Sequence, residues 1–420
     1  MGFKTNHKMK LEHLKFDVMK QSVLIVMVFG MVAMMGCNGE SSSLYDPNYE
    51  PERPDPIISN IEPEGGWLGG VDEVIITGEN FSDVDEENRI YFNGQIGVVN
   101  SATPTEIRVR PAIVTGDNVP VRMAVRKALN FSNTIEYKLD PAVIPAPGSI
   151  GEENVLAVAN DISGNVYFSF QDDDGVPRGI RRWDAENETV ALYLPSRIDW
   201  TSLKVGPDGL LYGARNIFGI YRETANGTID NNPFAVGNSG EGYIDMDFDP
   251  DHNLWAVGNN ENIFKINITT GTVDRFPFDA DLRAVRYYEG KLYMGGRFDD
   301  GTEDGSLEIW TMDVSNGQAS NPQQFLNISD VTAVDLNLFS LTFDADGTLF
   351  IGADTGTGIY TWNETDGFNE FYPGLILPTA YSFGWADNFL ITSATSLDEE
   401  TRFALKVDVR RDGAPYYGIE

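Results

Sequence analysis

The chain has 420 residues, 42 of them glycine and 21 proline, and 64 acidic against 30 basic residues give it a formal net charge of -34 at pH 7. That length exceeds one ordinary domain, the turn-rich and aromatic composition predicts an all-β protein, and the charge speaks against a nucleic-acid partner. Cys37 is the only cysteine, which excludes an internal disulfide.

The first predicted element is an export signal. Lys4, Lys8, Lys10, Lys15 and Lys20 precede an apolar run from Val23 to Met35, which is shorter than the roughly 20 residues that span a bilayer. The run ends in Met34-Met35-Gly36-Cys37, which resembles a bacterial lipobox, with Met34 where leucine is usual. The resemblance implies that residues 1–37 are a lipoprotein signal peptide and that Cys37 is lipidated. The protein would then sit at the bacterial outer membrane or cell surface, touching the membrane through this anchor only. Residues 38–56, rich in Ser, Pro and acidic side chains, cannot bury enough apolar surface to fold alone and read as a flexible tether.

Residues 57–139 carry short apolar runs, Val74 to Ile76, Ile90 to Phe92, Ile107 to Val109 and Val119 to Val125, bounded by turn residues, the pattern of a small β-sandwich. Ile58-Ser59-Asn60-Ile61-Glu62-Pro63, Gly69-Gly70, Thr77-Gly78-Glu79-Asn80-Phe81, Tyr91-Phe92-Asn93-Gly94 and Thr103-Pro104 together resemble the IPT/TIG family of immunoglobulin-like domains. That resemblance implies a spacer or interaction domain and no catalytic residue.

A linker is expected over 140–152, and 153–420 repeat a single unit. An apolar strand leads to a turn such as Pro207-Asp208-Gly209, and the next strand holds an aliphatic and aromatic pair such as Leu211-Tyr212. The unit recurs around Gly164, Asp208, Asp251, Gly290, Asp346 and Asp387, each time followed by a third strand and a polar hairpin into a fourth. Four strands in each of six units predict a six-bladed β-propeller. The Asp-Gly turn and Leu-aromatic strand resemble NHL-repeat and gluconolactonase-type propellers. The last blade is expected to be complete within residues 377–420, with no strand borrowed from elsewhere.

Propeller geometry puts the irregular connections, 171–179, 229–242, 298–306 and 396–402, on one rim. The repeat places Trp200, Tyr243, Asp245 and Arg283 near the starts of innermost strands and Arg215, Asn259 and Arg297 just beyond second strands. Rings beside amide, carboxylate and guanidinium groups suit stacking on a sugar and bonding to its hydroxyls. Trp200 and Tyr243 would form the stacking platform, so that replacing both removes glycan binding with little thermal change.

No cofactor is required by this reading. Calcium is weighed at Asp172-Asp173-Asp174-Gly175 and at Asp299 to Asp304, neither with the full spacing of a calcium loop. The gluconolactonase resemblance implies a channel metal, which Glu153, Asp245, Asn259 and Asp354 could imitate. Of the three histidines, His7 and His13 lie in the signal and His252 in a turn of the opposite rim, so no catalytic residue is assigned. The expectation is a non-catalytic cell-surface protein whose partner is an extracellular glycan, accompanying a glycan-uptake system. An envelope protein-interaction scaffold and a metal-dependent lactonase or carbohydrate-active enzyme are the alternatives.

Overall fold

The computed structural model describes residues 51–146, 154–172, 174–217, 219–230, 232–299, 301, 305–395 and 401–418, with 259–261 as backbone alone. Cys37, Glu153 and the side chain of Asn259 therefore lie outside the described residues.

Alternation decides the first domain. In the strand Gly116–Val125, Val119, Val121, Met123 and Val125 are buried while Arg122 between them is exposed, as a two-residue side-chain period requires. A four-stranded and a five-stranded sheet, built within residues 57–140, bring Ile58, Ile76, Ile90, Phe92 and Val109 into one core. Gly78 is needed because a Cβ there would stand 1.9 Å from the Ile57 carbonyl oxygen. Two residues on, Asn80 adopts φ of 64° and donates to the Asp55 carbonyl at 2.9 Å, which gives the Thr77 to Phe81 motif its physical cause.

Six blades follow. Their innermost strands are Asn154–Asn160, Ser202–Val205, Asp245–Phe248, the C-terminal half of Val273–Tyr288, Leu338–Phe343 and Phe383–Ala386, and each touches the next, the sixth closing on the first. Strand Val273–Tyr288 is long enough to be the outermost strand of blade 3 and the innermost of blade 4, so these two blades share one seven-stranded sheet. The repeated turn is held by its own carboxylates: Asp249 accepts from the Asn253 amide at 2.9 Å and Asp344 from Thr348 at 2.8 Å. Aromatic and aliphatic pairs of the second strands, Tyr212, Trp255 and Phe350 among them, are fully buried between blades.

Ring closure differs from the expectation. Val143–Pro145, inside the expected linker, pairs antiparallel with Leu405 to Val407 as the outermost strand of blade 6. Without it the strand Arg402–Asp408 would present an open edge. The chain after Asp408 cannot fill that place because it crosses the rim where the innermost strands end. There Arg411 pairs with Asp344 at 2.7 Å, Ala414 donates to the Phe343 carbonyl at 2.9 Å, and Tyr417 packs edge-on against Tyr287. Arg410 also donates to the Gly66 carbonyl at 2.8 Å and to Asp72 at 3.2 Å, joining blade 6 to the immunoglobulin-like domain.

Candidate functional site

Because innermost strands present alternate residues to the central channel, register sorts its lining into layers. Ser202, Asp245 and Ser340 belong to the layer near the strand starts. Lys204, Asp247, Arg286 and Thr342 lie two residues deeper. In the deeper layer Arg286 donates to Asp247 at 2.6 Å with both side chains buried, and also to the Pro415 carbonyl at 2.8 Å. The C-terminal segment thus floors the channel on that rim. A cavity of about 420 Å³ remains there, walled by Trp385, Asp387, Asp412 and Tyr416.

The opposite mouth is a cavity of about 340 Å³, within the range of small-molecule pockets, roughly 300–1,000 Å³. Its polar wall includes Gln171, Asp199, Lys204, Asn216, Asp245, Arg283, Ser382 and Arg402, and of its rings Trp200 and Phe383 are buried while Phe339 and Tyr381 are half-buried. These two half-buried rings meet edge to face at 4.8 Å, and the Arg402 guanidinium lies 4.0 Å over Tyr381. Asp245 accepts from the Ser202 hydroxyl at 2.8 Å and from the Val285 amide at 3.0 Å, tying blades 2, 3 and 4. Burial pushes its carboxyl above the ordinary range, and the Lys204 charge works against that.

The expected site residues separate. Asp245, Arg283 and the buried Trp200 line the mouth, and Arg283 is held by Asp281 at 2.7 Å. Arg297 lies in an adjoining groove that shares Arg283 and Phe339 with the mouth, its guanidinium near the Asn337 side chain at 3.2 Å. Arg215 lines a different groove between blades 1 and 2, beside Arg178 and Arg197.

Trp200 and Tyr243 do not form a platform, which corrects the sequence reading. Trp200 is 2% exposed, its ring set on the Cα of Gly213 and edge-on to Tyr221 at 5.5 Å. Tyr243 has no exposed surface and packs edge-on to Phe264 at 4.9 Å, with burial raising its hydroxyl to about 12. Both rings pack between blades, and although Trp200 borders the mouth, so little of it is exposed that it offers no ring face to a sugar.

Metal binding finds no cluster of three or more His, Cys, Asp or Glu among the described residues. Asp172 accepts from the Val176 amide and from Arg178, and Asp354 from the backbone and side chain of Asn337, so each carboxylate is engaged locally and neither lines the mouth with Asp245. The mouth residues that sequence reasoning missed are Lys204, Phe339, Tyr381 and Arg402. A signal existed for Lys204, which stands two residues after Ser202 and so faces the same channel.

The IPT/TIG domain family matches residues 56–138. No curated protein sequence matches the chain. Among solved structures, a candidate phosphatase from Bacteroides thetaiotaomicron superposes with a TM-score of 0.53 at 11% identity, over 86% of this chain and 98% of that one. An auxiliary nutrient binding protein from the same organism gives 0.48 at 11%, over 86% and 99%. A gluconolactonase from Xanthomonas campestris gives 0.47 at 14%, over 63% and 89%. Likeness at such identity speaks to fold alone. By family match and by fold, the protein joins an IPT/TIG immunoglobulin-like domain to a six-bladed β-propeller.

Proposed function

We propose that the protein captures an extracellular carbohydrate at the channel mouth without cleaving it. The observation that carries this is the Phe339 and Tyr381 pair, two half-buried rings set beside amide, hydroxyl, carboxylate and guanidinium groups in one cavity. Sugars present apolar ring faces and a rim of hydroxyls, and this wall offers partners for both. His252 is the only histidine among the described residues, and it sits in a turn on the other rim, so no described imidazole stands at the mouth. Replacing Phe339 and Tyr381 together by alanine should weaken retardation in polysaccharide affinity gels by about tenfold or more, each tenfold being about 1.4 kcal/mol. Unchanged retardation would remove the site.

The place of action follows from the N-terminal motif. Residues 1–37 act as a lipoprotein signal, Cys37 carries the lipid, and 38–56 tether the two folded domains at the cell surface. No helix among the described residues is long and apolar enough to cross a membrane. Cys37→Ser should move the protein from the membrane fraction to the soluble one, and persistent membrane retention would refute the anchor.

A further inference from the structure

We infer that the carbohydrate bound at the mouth carries an anionic substituent, a carboxylate or a sulfate ester, received by Lys204 and Arg402. The inference rests on the carbohydrate reading above and deepens it. In a chain of net charge -34, cations that form no salt bridge among the described residues are the unexpected feature, and this mouth holds two. Lys204 lines both the upper and the lower cavity, so its ammonium stands in the channel between them. It lies 5.3 Å from the centroid of the Tyr416 ring, and among the described residues no hydrogen-bond acceptor meets its three donors. Asp245, whose carboxyl feels the Lys204 charge, accepts its hydrogen bonds from Ser202 and Val285 instead.

Arg402 is arranged differently to the same end. Its guanidinium carbon lies 4.0 Å from the centroid of the Tyr381 ring, and no carboxylate pairs with it among the described residues. A guanidinium held against a ring face by cation–π attraction spends none of its N–H donors on that contact, and these can fork onto two oxygens of a carboxylate or sulfate. The other charged groups of the wall are committed: Arg283 to Asp281, and Asp199 to the Gln171 amide at 2.7 Å. Tyr381 touches both Phe339 and Arg402, so a ring stacked on the aromatic pair would bring its substituent to the two cations. Long-range repulsion from the acidic surface is screened beyond about 8 Å at physiological salt, leaving these local charges to decide.

The test uses matched polysaccharides in native affinity gels: polygalacturonate against highly methyl-esterified pectin for the carboxylate, and dextran sulfate against dextran for the sulfate ester. The acidic member of at least one pair should retard the protein more than its neutral partner. Lys204→Gln and Arg402→Gln, each checked for an unaltered melting transition, should each weaken that retardation about tenfold or more, while Lys138→Gln on the immunoglobulin-like domain leaves it unchanged. Equal retardation by neutral and acidic members, or acidic retardation that survives both variants, overturns the inference and leaves the carbohydrate reading standing. No retardation by any of the four overturns both.

Discussion

Asp247→Ala should destabilise the protein by about 3–5 kcal/mol, the cost of leaving one partner of a buried ion pair uncompensated. Asp247 has no exposed surface, and its carboxylate accepts from Arg286 at 2.6 Å and from the Tyr287 amide at 2.8 Å. Alanine would strand the guanidinium in the channel with only carbonyl acceptors from the C-terminal segment. Because the penalty comes from an orphaned charge, Asp247→Ala combined with Arg286→Met should recover a large part of it. Urea unfolding of the wild type and the two variants measures both quantities. A loss below about 1 kcal/mol for Asp247→Ala, which is the scale of exposed pairs, would mean that the channel floor is open to water.

Trp200→Ala should cost about 3–5 kcal/mol, as deletion of a buried tryptophan does. This reverses the expectation drawn from sequence, in which Trp200 and Tyr243 serve a ligand and their loss leaves the melting transition almost unmoved. The structure puts the indole among Leu203, Tyr221 and Ile180 of two neighbouring blades and over the Cα of Gly213, where any side chain would stand about 2.2 Å from the ring. Denaturant unfolding decides between the two: an unaltered midpoint would return Trp200 to the surface.

Much of the architecture was legible because the repeat has a local cause. The Asp-containing turns at Asp161, Asp249 and Asp344 bond their own hairpins, so the residues that make the turn also mark the period. The immunoglobulin-like domain was legible through Gly78 and Asn80, which its backbone requires. The outermost strand of blade 6 was not: Val143-Ile144-Pro145 is three residues beside prolines, indistinguishable from a linker until its partner is known. The site was legible only in part, for a physical reason. Innermost propeller strands are buried on both faces, so hydrophobic alternation no longer reports which side chains face the channel and which face the next blade. Trp200 and Phe339 both lie near strand starts and both border the mouth, yet one is buried between blades and the other is half-exposed there.

The central claim is that a sugar sits on Phe339 and Tyr381 with its charged group toward Lys204. A crystal structure of the protein soaked with trigalacturonate, or with a sulfated trisaccharide if dextran sulfate gives the stronger retardation, tests this most directly. The account predicts a sugar ring against the two aromatic side chains and its anionic oxygens within hydrogen-bond distance of Lys204 or Arg402. Density for the saccharide on the immunoglobulin-like domain, or in the cavity beside Trp385 and Tyr416, with the mouth empty, would contradict it.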